Sequence, residues 1–134
     1  MIITRKIKKY LVNELTPAKD ALQLLDQEKI RALICVNEQG VLRGTLSFGD
    51  INRWLLSSKK VDLDTPVSKV MHHNPRFIYD NDTINQESLK KFQVVPIVDQ
   101  FNRVQKIIIF GKPSKFLEFG GNQYGKSNPL IIAE

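Results

Sequence analysis

Cysteine is almost missing from this chain: Cys35 is the only one in 134 residues. A disulfide framework or a Cys-rich zinc site cannot be assembled within it. Cys35 itself lies in the apolar run Arg31-Ala32-Leu33-Ile34-Cys35-Val36 and reads as a small buried hydrophobe in a reducing cytoplasm. Histidine is nearly as scarce. His72 and His73 are adjacent in a polar stretch, and neighbouring residues of extended chain point apart, so a shared metal would need a bent backbone. Neither histidine is placed by the sequence to form a nucleophilic triad with Ser47 and Asp50. No apolar segment approaches the roughly 20 residues of a membrane span. Met1-Ile2-Ile3-Thr4-Arg5-Lys6 lacks the apolar stretch of a secretory signal. These scarcities point to a cytoplasmic, non-membrane chain with no catalytic residues, no metal and no required cofactor.

What is present resembles an ordinary globular unit. Hydrophobic residues make up 42% and charged residues 25%, close to globular averages, so the chain can bury a core without staples. The net charge of +6 suggests nucleic acid, but its distribution argues against that partner. Arg5, Lys6, Lys8 and Lys9 place four positive charges in the first ten residues. Residues 101–134 carry five basic and two acidic residues, whereas residues 11–100 balance eleven basic against twelve acidic ones. Basic ends on a balanced body fit solvated termini or contacts to a neighbouring domain better than a recognition face for nucleic acid.

The most informative stretch is Gly44-Thr45-Leu46-Ser47-Phe48-Gly49-Asp50. Upstream, residues 31–36 read as a buried strand and Asn37-Glu38-Gln39-Gly40 as a tight turn. Val41 to Leu46 read as the returning strand. Ile51, Trp54 and Leu55 recur at helical spacing, so the pattern predicts a helix beginning near Ser47. Serine then occupies the N-cap and Asp50 the first turn. Amides at such a helix start suit a phosphate. A carboxylate can accept from both hydroxyls of a ribose. Gly44 would let a ligand approach the strand closely. The same Ser-x-x-Asp spacing also serves as a plain helix cap.

A second copy lends weight to the first. At an offset of 62 residues, Val36 aligns with Val98 and Phe48-Gly49 with Phe110-Gly111. Phe92 to Asp99 then underlie the first strand, Gln100-Phe101-Asn102 the turn, and Val104 to Phe110 the returning strand. Each copy is preceded by a helical segment with a threonine at its start. Thr16 is expected to cap the first, with Pro17 at the first helical position and Ala18, Ala21, Leu22 and Leu25 forming an apolar stripe. Asp82-Thr83 leads into a shorter one through Ile84, Glu87, Ser88 and Leu89. Such a repeat is more telling than any single motif.

These residues resemble the CBS domain family, named after cystathionine β-synthase, whose members occur as tandem pairs. Gly44 to Ile51 is similar to the family's Gly-hydrophobic-x-Ser/Thr-x-x-Asp motif. Val70-Met71-His72-His73-Asn74-Pro75 resembles the opening of a second copy, and Val95-Pro96-Ile97-Val98-Asp99 its central strand. The resemblance spans about Ile7 to Phe119. It implies an α/β fold of two pseudosymmetric repeats, each a small sheet packed with short helices: residues 1–60, then a degenerate 61–119, then a linker at 120–134. It also implies that an adenosine nucleotide such as AMP or ATP acts as an effector, with serine and aspartate holding phosphate and ribose. The candidate ligand-binding set is Ala32, Gly44, Thr45, Leu46, Ser47 and Asp50. Residues 44–53 with 74–78 look closest to pairs attached to bacterial sugar-activating enzymes.

The second copy departs from the motif. Ile109 stands in the slot of Ser47, Lys112 in that of Asp50, and Lys106 in that of Gly44. Isoleucine has no hydrogen-bonding group and lysine cannot accept one, so a single site per chain is expected. Gly120 to Ser127 satisfies the pattern of a phosphate-binding loop. However, Pro129 follows at once and too little chain remains for the required helix and sheet, so the stretch reads as a Gly-rich linker. Leu130-Ile131-Ile132-Ala133-Glu134 resembles the first strand of the sialic acid synthase family. The combined expectation is a regulatory module from a nonulosonic (sialic-like) acid synthase, with a sugar nucleotidyltransferase as the competing parent. Its partners would be a nucleotide, the attached catalytic domain and a second copy in a homodimer. The rival readings are a structural dimerisation module without nucleotide, in which Ser47 and Asp50 only cap a helix, and a small nucleic-acid binder resting on charge alone.

Overall fold

The computed structural model describes residues 1–28 and 30–110, and within them seven strands and three α-helices form two small sheets around a shared core. In the first sheet, β2 (Leu11–Asn13) runs parallel to β3 (Ala32–Val36), and β4 (Leu42–Ser47) returns antiparallel to β3. The helix α1 (Ala18–Glu28) makes the crossover between the parallel pair, which a tight turn could not. It buries Ala18, Ala21 and Leu25, three members of the expected stripe. The helix begins one residue later than expected, because the Pro17 carbonyl accepts its first bonds, from Asp20 and Ala21. Helix α2 (Phe48–Ser57) follows β4 directly.

The second sheet repeats the plan. β5 (Ile78–Tyr79) is parallel to β6 (Val94–Val98), and β7 (Val104–Ile109) returns antiparallel. Both β6 and β7 lie 62 residues after β3 and β4, and the pairing slips at the same place in each sheet, at Cys35/Val36 and at Ile97/Val98. Their turns match atom for atom. Asn37 Oδ1 accepts from the Gln39 and Val41 amides, as Asp99 Oδ1 does from Phe101 and Arg103. Gly40 (φ +79°) and Asn102 (φ +65°) both take the left-handed conformation that glycine and asparagine tolerate best. The turns also exchange reciprocal bonds across the approximate dyad: Leu42 N–H to the Asn102 carbonyl at 2.9 Å, and Val104 N–H to the Gly40 carbonyl at 3.0 Å.

Three features depart from simple duplication. The helix α3 (Gln86–Leu89) has only four residues, and its cap is Asn85, whose Oδ1 accepts from the Ser88 amide, rather than Thr83. The second helix therefore covers less of its sheet, and the cluster of Ile78, Leu89, Val95, Ile97 and Ile108 is the smaller of the two cores. The strand β1 (Ile2–Thr4), at the start of the chain, pairs antiparallel with β7 and so completes the sheet of the other repeat, giving the order β1-β7-β6-β5. The larger core joins both halves: Leu33, Ile34 and Cys35 share it with Val98, Val104 and Ile107. β3 and β6 are buried along nearly their whole length, which explains why each reads as an unbroken apolar run. Lys112, the Gly-rich stretch 120–127 and the tail 130–134 lie outside the described residues.

Candidate functional site

Ser47 ends β4 in extended conformation and caps α2, as its spacing from Asp50 predicts. The cap is reciprocal. Ser47 Oγ accepts from the Asp50 amide at 3.3 Å, while Asp50 Oδ2 accepts from the Ser47 amide at 2.8 Å and from the Ser47 hydroxyl at 3.0 Å. The other carboxylate oxygen, Oδ1, accepts from the Arg53 guanidinium one turn along the helix. Among the described residues, Asp50 is the one buried charged side chain, 7% exposed. A buried carboxylate with three donors is held rigidly, and its position is set by the helix rather than by a loop.

A cleft of about 690 Å³ opens beside this cap. The first repeat contributes Ala32, Thr45, Ser47 and Asp50, four of the six residues singled out from the sequence, together with Arg31 and Arg53. The segment entering the second repeat contributes His72, Asn74, Pro75 and Arg76, and the approach to β6 contributes Lys91, Phe92, Gln93 and Val94. The cavity thus has walls from both repeats, and its volume lies within the range of small-molecule sites. Four cationic residues, Arg31, Arg53, Arg76 and Lys91, face a single carboxylate there.

Gly44 and Leu46 are not among the lining residues. Leu46 points the other way, into the core, as alternation along a strand requires. Gly44 is buried against the chain itself. A Cβ at this position would lie 2.6 Å from the His72 carbonyl oxygen and 2.7 Å from Met71 Sδ. The missing side chain makes room for the segment joining the repeats, not for a ligand. That segment is clipped to β4 by paired backbone bonds, Thr45 N–H to the His72 carbonyl at 3.1 Å and His72 N–H to the Thr45 carbonyl at 2.8 Å. His72, read from the sequence as part of a polar loop, therefore borders the cleft. Its lining role, with those of Asn74, Arg76, Lys91 and Gln93, has no local sequence signature: these residues belong to polar stretches that only the fold brings opposite Ser47.

The equivalent position in the other repeat is different. Ile109 stands at the place of Ser47, beside a groove of similar volume lined by Thr4, Arg5, Lys6, Lys8 and Lys9. Lys106, at the place of Gly44, turns its ammonium to Asp80 at 3.3 Å. Among the described residues no carboxylate lines this groove, and its hydroxyls belong to Thr4 and Tyr10 rather than to a helix cap. Elsewhere, burial pushes the Cys35 thiol up to about 12, with the negative charges of Asp50 and Glu14 adding to the effect. Cys35 is therefore an inert core residue. Among the described residues no helix is long and apolar enough to cross a membrane, and no three potential metal ligands gather.

Comparison with known proteins agrees with this architecture. Residues 2–57 match the family model of the CBS domain. An uncharacterized protein of Helicobacter pylori is 32% identical over 103 residues, which cover 73% of this chain and 31% of that protein. The chain thus spans about a third of the length of this curated relative. A CBS domain protein from Streptococcus pneumoniae superposes with a TM-score of 0.69 at 20% identity, covering 80% of this chain and 77% of that one. CBSX2, solved in complex with AMP, superposes at 0.61 and 23% identity, covering 81% and 85%. The chain has the α/β fold of a CBS pair, two small mixed sheets with short helices.

Proposed function

We propose that this CBS domain pair protein is a regulatory ligand-sensing module that takes an adenosine nucleotide, or a related phosphoribosyl ligand, in the cleft beside Ser47. One observation carries the reading: the reciprocally bonded Ser47–Asp50 cap opens into a cavity whose far wall comes from the other repeat. A ribose hydroxyl would donate to Asp50 Oδ1, which already accepts from Arg53 and has acceptor capacity left, whereas Oδ2 is taken up by the Ser47 amide and hydroxyl. The first amides of α2 and the Ser47 hydroxyl would meet a phosphate. Ala32 and Thr45 would border the base, while Gly44 and Leu46 would act by setting the strand and its neighbour rather than by contact. AMP bound to CBSX2 supports the ligand class.

The action would be regulatory rather than catalytic. A ligand touching both walls binds one arrangement of the repeats better than others and shifts the equilibrium of whatever is attached. We further propose that the attached partner is a catalytic domain of a nonulosonic acid synthase, with a sugar nucleotidyltransferase as the alternative. Support for this parent is confined to the sequence resemblances at residues 44–53, 74–78 and 130–134. The proposed division into repeats at residues 60/61, with a linker from 120, follows the same resemblance. Pairing of two copies through the exposed Leu55 and Leu56 of α2 is part of the proposal.

Calorimetric titration with AMP, ADP, ATP and S-adenosylmethionine tests the central reading. Saturable binding of at least one of them, lost on substitution of Asp50, is the expected result. Absence of binding by all four would leave the structural dimerisation module as the better account.

A further inference from the structure

We propose that β1 and the basic segment after it form a docking surface for an extended acidic peptide segment of a partner protein, added as a further strand beside β1. This surface shares no lining residue with the Ser47 cleft, so it stands or falls independently of the nucleotide reading. β1 is the end strand of its sheet: β7 pairs with one side, and among the described residues no strand pairs with the other. A free edge offers a row of backbone donors and acceptors to an incoming strand. Neither proline nor a charge interrupts Ile2–Thr4, and the side chains of Met1, Ile2 and Ile3 are exposed. Ile2 and Thr4 face a groove of about 690 Å³, while Ile3, on the other face of the strand, does not line it.

The chemistry of the groove chooses the occupant. Arg5, Lys6, Lys8 and Lys9 line it, all four are exposed, and no acidic residue occurs before Glu14. None of the four takes part in an ion pair among the described residues. Their backbone is fixed locally: Thr4 Oγ1 accepts from the Lys6 amide at 2.9 Å, and the Ile7 carbonyl accepts from the Tyr10 amide at 2.8 Å. Tyr10 is buried, and the Lys9 ammonium lies 5.3 Å from the centroid of its ring. Ile2, Ile7 and Ile109 supply apolar lining beside the cations. A partner strand that alternates carboxylates with apolar residues satisfies the free edge, the cations and the exposed isoleucines together. Other occupants match fewer of these features. A second copy meeting β1 edge to edge would bring the same four cations and no carboxylate from its own residues 1–13. Residues 111–134 carry three lysines against two glutamates, so their charge does not complement the groove. Nucleic acid has no amide ladder to pair with a strand edge, and a membrane surface is flat where this groove is concave.

The test is fluorescence anisotropy of a labelled peptide of alternating glutamate and valine, titrated with the 134-residue chain. A control peptide of equal charge carries proline in place of valine and cannot pair as a strand. The first should bind saturably and at least about tenfold tighter than the second, because only the first gains backbone hydrogen bonds from β1. Its affinity should fall as salt rises from about 0.05 M to about 0.5 M. Lys6→Gln and Lys8→Gln should each weaken it by about 1.5- to 5-fold and melt like the parent protein. Amide exchange at residues 2–4 should slow when the peptide binds. Equal binding of the two peptides would overturn the added strand and leave only unspecific charge attraction. Tighter binding of single-stranded oligothymidylate, or of phosphatidylglycerol vesicles, than of the glutamate–valine peptide would overturn the choice of partner in favour of nucleic acid or membrane. No binding by any of these probes would overturn the proposal outright, and the cations would then serve to guard the sheet edge against pairing.

Discussion

Replacing Asp50 with alanine separates a ligand site from a helix cap, because the two roles lose different quantities. As a first-turn acidic residue, aspartate would be worth only about 0.3–1 kcal/mol to α2. The structure raises that figure. Its carboxylate accepts from the Ser47 amide at 2.8 Å and the Ser47 hydroxyl at 3.0 Å, in a site where Asp50 is 7% exposed. Alanine leaves the half-buried Ser47 amide without its partner, a loss of about 1–3 kcal/mol. The Arg53 contact adds little, since that side chain is 71% exposed. For a domain of this size the melting midpoint should fall by about 3–6 °C for each kcal/mol lost. If Asp50 also accepts ribose hydroxyls, the loss of a charged acceptor weakens nucleotide binding by about 10- to 150-fold. Asp50→Asn sharpens the comparison. It keeps the volume and one acceptor oxygen, so it should recover part of the stability while still lacking the second acceptor. Melting curves and calorimetric affinities for both variants are the assay. Lower midpoints with unchanged nucleotide affinity would refute the ligand role and reduce Ser47 and Asp50 to a cap.

Other expectations are more direct. Gly44→Ala should destabilise the protein by about 1–3 kcal/mol, because the new methyl meets the His72 backbone oxygen at 2.6 Å; a variant as stable as the parent would show that the inter-repeat segment is not held there. Nucleotide titration should give about one site per chain, since Ile109 cannot replace Ser47, and Lys112→Ala should leave affinity unchanged; two equivalent sites would contradict the asymmetry. Cys35 should resist alkylation at pH 8 until the chain unfolds. Its folded value of about 12 lies above the ordinary value of about 8.5, so the folded state holds the proton longer than the unfolded state. Its stabilising contribution is therefore complete below about pH 8.5 and is lost as pH rises toward 12. Comparing stability against pH for the parent and Cys35→Ala should show a steeper alkaline decline in the parent, and parallel curves would refute the linkage.

Features legible in the sequence are those governed by short-range periodicity. The buried strands β3 and β6 appear as unbroken apolar runs, and the constant offset of 62 residues marks the duplication in the sequence itself. The Asn37 and Asp99 turns and the Ser47 cap were readable because each is closed by hydrogen bonds spanning only a few residues. Where local signals compete, the helix start shifts by two residues. Thr83 looked like a helix start, but Asn85 lies closer to the apolar residue Leu89, which the core actually buries, and caps the shorter helix.

Tertiary structure decided everything that depends on which distant segments meet. Sequence presents Gly44 as space beside a possible ligand motif, and only the approach of Met71 and His72 shows which neighbour occupies that space. Likewise, no local pattern marks Asn74, Arg76, Lys91 or Gln93 as lining the same cleft as Ser47. Nor does any local rule send β1 to the edge of β7, more than a hundred residues away. Backbone hydrogen bonding and side-chain alternation are determined within a few residues and survive in the one-dimensional pattern. Cavity walls and close backbone approaches arise when separate elements pack to a common density, so their chemistry becomes visible only once the two repeats stand against each other.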